Sequence, residues 1–161
     1  MRARIPALVI VCLAVALAAR SQETPAPRPD FSGTWKLDLE RSSLQIEAPD
    51  ASTFVIDHRD PHWRLERTHV FGGRSDTLSM ELTTDGEPMT FSRGGWEVRR
   101  RLHWEDAVLV LESTMSRDGR ETRVVVRYRV EDGGRTFIAE EHLESGQETH
   151  DNLWVFERST P

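Results

Sequence analysis

From Phe31 onward, hydrophobic and polar residues trade places at almost every step, and hardly any 3.6-residue period appears. Strict alternation puts every second side chain on one face of an extended strand. The alternation breaks about every ten residues, at Asp60-Pro61, Gly72-Gly73, Asp85-Gly86, Gly94-Gly95, Glu105-Asp106, Asp118-Gly119, Gly133-Gly134 and Gly146. The runs between these breaks predict strands over 33–39, 52–59, 62–71, 75–83, 88–92, 95–104, 107–116, 120–130, 135–144 and 150–158. Asp-Gly and Gly-Gly links are the chemistry of tight hairpins. Consecutive hairpins make an up-and-down antiparallel meander, and closing such a meander into a barrel removes its two open edges. The expected fold class is therefore all-β, a meander of 8–10 strands closing on itself. Residues 40–51 alone break the rhythm; they are too many for a hairpin and are expected to hold one short helix or a lid.

The same alternation sorts side chains into faces. The inward set on 62–71 is Trp63, Leu65, Arg67, His69 and Phe71; on 95–104 it is Trp96, Val98, Arg100, Leu102 and Trp104. Leu78, Met80 and Leu82, then Leu109, Leu111, Ser113 and Met115, continue it. Val124, Val126, Tyr128 and Val130, and Asn152, Trp154, Phe156 and Arg158, complete it. Arg67, His69, Arg100 and Tyr128 are thus polar groups on apolar faces. A buried unpaired cation is costly, so each Arg needs a buried acid, water, an anionic ligand or a route to a barrel mouth. An apolar pocket with a small cationic centre would bind an amphipathic anion. Arg67, His69, Arg100, Tyr128, Trp104 and Trp154 are the candidate ligand-binding residues.

Other chemistry is thin. The six histidines include His58 and His62 beside the Asp60-Pro61 turn, where they read as solvated turn residues. Their spacing on strands does not match the converging geometry of a metal site, so no metal is expected. No G-x-S-x-G occurs. Glu140, Glu141 and Glu144 read as a solvated face, and alternation splits the run Arg99-Arg100-Arg101 across two faces. Neither a catalytic constellation nor a cofactor site stands out, and the chain is expected not to be an enzyme.

Charge and the N-terminal region add an address. Arg2 and Arg4 precede an apolar run from Ile5 to Ala19 that ends in Ala16-Leu17-Ala18, the pattern of a secretory signal peptide over 1–20. At about fifteen residues the run is short for a membrane span, which needs roughly 20. Residues 21–30, with three prolines, predict an extended tether, and 31–161 one domain. The chain of 161 residues carries a formal charge of −6; loss of Arg2, Arg4 and Arg20 leaves 18 basic against 27 acidic residues, or −9. That balance argues against nucleic acid and against an anionic membrane surface as partner. Cys12, the one cysteine, falls in the leader, so thiolate chemistry and disulfides are excluded from the mature chain. The expected location is secreted or periplasmic, with no membrane span after cleavage.

The opening FSGTWKLD, with Gly33-Thr34-Trp35 on the first strand, resembles the start of fatty-acid-binding proteins, and the end, Val155-Phe156-Glu157-Arg158, looks like their final strand. The chain is identified as similar to the calycin superfamily of lipocalins and fatty-acid-binding proteins. Its wider pattern, including TTDGE, resembles secreted bacterial lipocalin-like proteins. The resemblance implies a lipocalin-like barrel in which Trp35 plugs the closed end, Arg158 lies over it and Gly33 lets the chain cross closely. Two departures are evident. Residues 40–51 are too few for the helix pair that fatty-acid-binding proteins insert there. Their carboxylate-holding Arg-x-Tyr on the last strand falls on Trp154 and Phe156 here.

The leading functional expectation is carriage or sensing of a small apolar or amphipathic molecule. The alternative is a barrel filled by its own side chains and serving as a structural or protein-interaction module; a cavity of about 300 Å³ or more favours carriage. A barrel-based enzyme is the third reading, and the sequence does not specify an oligomeric state.

Overall fold

The computed structural model describes residues 27–159. The expected leader at 1–20 and the first part of the tether lie outside the described residues. Ten antiparallel strands follow: β1 (Gly33–Leu37), β2 (Ala51–Arg59), β3 (His62–Phe71), β4 (Arg74–Thr83), β5 (Met89–Arg93), β6 (Trp96–Glu105), β7 (Val108–Arg117), β8 (Arg120–Glu131), β9 (Thr136–Ser145) and β10 (Glu148–Arg158). They form one sheet in the order β4-β3-β2-β1-β10-β9-β8-β7-β6-β5, and the pairing of the first strand with the last curls it into a nearly closed barrel. In three two-residue turns, Gly72-Gly73, Gly94-Gly95 and Asp118-Gly119, both central residues have positive φ. This is the primed geometry whose twist matches the flanking strands.

The meander closes into a nearly complete barrel, as expected, with one seam left open. Among the described residues β4 and β5 form no ladder with each other; the seam is joined only near one end, where Asp85 bridges His103 and Gly86 N–H donates to Leu102 O at 3.0 Å. The five residues Thr84–Pro88 carry the chain across this gap, and the free edges on both sides follow from it.

The segment 40–51 holds no helix. It runs along β10 as an irregular strap: Ser43 and Leu153 exchange backbone hydrogen bonds of 2.8 Å, and Gln45 N–H donates to Asn152 Oδ1 at 2.7 Å. β1 is only five residues long and leaves most of β10 without a partner on that side. The strap supplies those partners and packs Leu44 and Ile46 on the core. It is wall, not lid.

Side chains fill one half of the interior. Trp35, Phe31, Phe137 and Phe156 are fully buried, and Trp63, Leu65 and Leu109 lie with them. Phe137 is the hub, with Phe31, Trp35, Tyr128 and Phe156 each 5.4–6.0 Å from it between ring centres. Arg158 stands opposite Trp35 across the β1–β10 pair, its guanidinium carbon 4.1 Å from the indole centre. The Trp35 indole N–H donates to Phe31 O at 2.9 Å.

His58 corrects its reading as a solvated turn residue. Only 8% exposed, it packs between Phe31, Trp63 and Trp104. It belongs to the inward face of β2, whose burial alternates residue by residue through Ser52, Phe54 and Ile56.

Candidate functional site

Above the aromatic floor the barrel is hollow. A cavity of about 300 Å³ is bounded by side chains from seven strands and β10. Its apolar wall comes from Phe54, Leu65, Leu78, Met80, Leu111, Met115, Val124, Val126, Ala139 and Leu143. Its polar groups are Arg67, His69, Arg100, Ser113, Tyr128, Glu141 and the Trp154 indole. Five of the six residues singled out from the sequence meet here. The sixth, Trp104, stands apart, on the far side of the floor. Its indole N–H donates to Asp60 Oδ1 at 2.9 Å, and Arg28 from the tether lies 5.0 Å over its ring.

The two arginines flank the seam, Arg67 on β3 beside β4 and Arg100 on β6 beside β5. Arg67 is paired: its Nη2 donates to Asp76 Oδ2 at 2.8 Å. Arg100 has weaker company. Its Nε reaches Ser113 Oγ at 3.5 Å and its guanidinium lies 5.3 Å from the Phe91 ring centre; among the described residues no carboxylate pairs with it. Burial lowers its pKa from the ordinary arginine value, and the neighbouring charges of Arg93 and Arg67 push the same way. Arginine nevertheless stays protonated, so the cavity wall carries an under-compensated cation.

His69 is neutral near pH 7. Burial, reinforced by the Arg67 charge and opposed by Asp76, lowers its pKa to about 4. Its Nδ1 shares a 2.8 Å hydrogen bond with Ser52 Oγ, and its ring stacks on Trp154 at 5.5 Å and 12°. Tyr128 stacks between Trp63 and Phe137, and burial, then the Glu141 charge, raises its phenol well above the ordinary value. Two buried donors at this cavity, Arg67 Nε and Trp154 Nε1, have no hydrogen-bond partner among the described residues. Such groups cost about 1–3 kcal/mol each when left unmet, and a bound acceptor or water relieves that cost.

Glu141 is the residue the sequence reading missed. Its acidic neighbours Glu140 and Glu144 lead to the expectation of a solvated face. On β9 it shares the inward face of Ala139 and Leu143, and Asn152 Nδ2 donates to its Oε1 at 2.8 Å. Strict alternation from Ala139 was the available signal; the density of acids in Glu140-Glu141-His142-Leu143-Glu144 masked it. Glu141 and Arg100 are three strands apart, so a field runs across the cavity from β6 to β9.

Among the described residues Ser52 Oγ and His69 Nδ1 form a Ser–His contact beside the cavity; Ser52 is 3% exposed and is not among the residues that line it. Among the described residues no group of three His, Cys, Asp or Glu side chains converges as a metal site. No helix among them is long and apolar enough to cross a membrane.

No family model and no curated protein matches the chain. Solved structures do match. Human cRBP IV superposes with a TM-score of 0.53 at 13% identity, covering 81% of this chain and 99% of its own. The fold is a calycin-type barrel. Zebrafish ileal bile acid-binding protein, solved with cholic acid, gives 0.54 at 12% identity over 80% of this chain and 98% of its own. Secretory abundant heat soluble protein 4 from Ramazzottius varieornatus gives 0.54 at 12% identity over 81% and 95%. At such identities the likeness is one of fold alone.

Proposed function

We propose that this calycin-type barrel is a non-enzymatic binding protein that carries or senses a small amphipathic anion. The observation that carries the reading is the cavity of about 300 Å³ in which Arg100 faces an apolar interior without an acid partner. A hollow of that size is what small-molecule sites need, and a filled structural barrel would not leave it. An anionic head beside Arg100 compensates the cation, while the apolar body covers Leu111, Val126 and Ala139. The similar zebrafish protein binds a bile acid, an amphipathic anion, in the same kind of barrel. Export belongs to the same proposal: the leader-like residues 1–20 support it, and it would make this an extracytoplasmic carrier.

Native mass spectrometry of protein purified from its own host, followed by extraction, tests the reading. A stoichiometric small anion is expected. Arg100→Ala should weaken its binding at least tenfold, about 1.4 kcal/mol, because the remaining field of Glu141 repels an anion. Glu141→Gln should tighten binding. An apo mass, with no thermal shift across a panel of lipid and organic acids, would overturn the proposal.

A further inference from the structure

The aromatic floor limits what the cavity can hold, and we infer that it encloses only a compact part of a monoanion, on the order of ten to thirteen non-hydrogen atoms, so that the rest of any longer ligand stays outside the barrel. The inference rests on the binding reading above and adds the size and pose of the enclosed part. A cavity of about 300 Å³ lies at the lower bound of small-molecule sites. A water-sized group occupies about 30 Å³ in a liquid, and protein interiors pack more tightly than liquids, which gives the stated atom count. The floor below the cavity is packed, not hollow. Trp35, Phe137 and Phe156 are fully buried in it, and the Trp63–Tyr128 stack closes its upper surface at 5.8 Å and 23°.

Charge then fixes the pose. Arg100 and Glu141 stand on walls three strands apart, β6 and β9. A monoanion is drawn to the first and repelled by the second. Its head therefore lies on the seam side, and its apolar body reaches toward Leu111 and Ala139. Any longer chain must project through the open end into water, where further methylenes bury no surface.

The test is titration calorimetry of delipidated protein with straight-chain carboxylates from six to eighteen carbons, with naphthoates and phenylalkanoates as ring-bodied probes of matched atom count. Each added methylene should tighten binding about fourfold, up to roughly eight to eleven carbons, after which affinity should stop rising. Ala139→Leu should shorten that limit by about three carbons and Leu111→Ala should lengthen it by about three, with a melting curve to confirm that each variant folds. Ring-bodied acids within the size limit binding as well as chains also supports the inference. Affinity that keeps climbing to eighteen carbons overturns the size limit and leaves the binding reading intact, and so does a limit that neither variant moves. If no carboxylate of any length binds, both readings fall together.

Discussion

The contact of Gly33 with Arg158 offers a sharp test of what holds the closed end. Gly33 has a φ of +140°, where only glycine is at ease, and a Cβ added there would collide with Arg158 Nη1. That guanidinium spans three groups at once: it lies 4.1 Å from the Trp35 ring centre, donates from Nη1 to Ser32 O and donates from Nε to Gly134 O, each at 2.6 Å. Gly33→Ala should therefore cost twice over. Backbone strain accounts for about 1–2 kcal/mol. Expulsion of the guanidinium adds about 2 kcal/mol, counting a solvent-facing cation–π contact of about 0.5–1 and two charge-assisted hydrogen bonds discounted for exposure. In the Arg158→Ala background only the strain remains, so Gly33→Ala should become cheaper by about 2 kcal/mol. Urea unfolding followed by circular dichroism, at constant m, measures all three variants. Trp35→Ala, which empties a fully buried indole site, sets the scale at about 3–5 kcal/mol. Additivity of Gly33→Ala and Arg158→Ala within about 0.5 kcal/mol would refute the clamp.

Two further outcomes follow from groups at either end of the barrel. His69 titrates at about 4 when folded against 6.5 when free, so below pH 6.5 the unfolded chain takes up a proton that the folded one refuses. Stability should fall as pH drops from about 6.5 to 4, by at most about 1.4 kcal/mol per pH unit, and His69→Gln should flatten that limb of the stability–pH curve; an unchanged slope in the variant would show that His69 is not the group responsible. At the far end, Asp60 accepts hydrogen bonds from Thr84, Trp104 and Arg28. These bonds, with Thr84 the largest contributor, hold its carboxyl below the ordinary range. Asp60→Ala should cost about 1–3 kcal/mol and release the tether, which amide exchange at Phe31 and Ser32 would report as lost protection.

Much of the barrel was legible because its determinants are local. Alternation needs only neighbouring residues to be read, and Asp-Gly or Gly-Gly needs only its own φ preference. Strands β2, β3, β4 and β6 to β9 accordingly begin and end within about a residue of their predicted bounds. The inward faces that alternation assigns around Arg67, His69, Arg100, Tyr128 and Trp154 are the ones that line the cavity.

Contacts between residues remote in sequence belong to the tertiary structure. His69 meets Trp154, and the strap at 42–46 meets β10, only because β1 pairs with both β2 and β10. The stagger of strands around the barrel selects those partners, and no local pattern encodes it. Whether the interior is hollow is likewise a sum over all ten strands. Five tryptophans could have filled it, but Phe31, Trp35, Phe137 and Phe156 gather at one end and leave the space at the other. The charge of Arg100 is written in the sequence; its lack of an acid partner is decided by which side chains the closed sheet brings within reach, and those are Ser113 and Phe91.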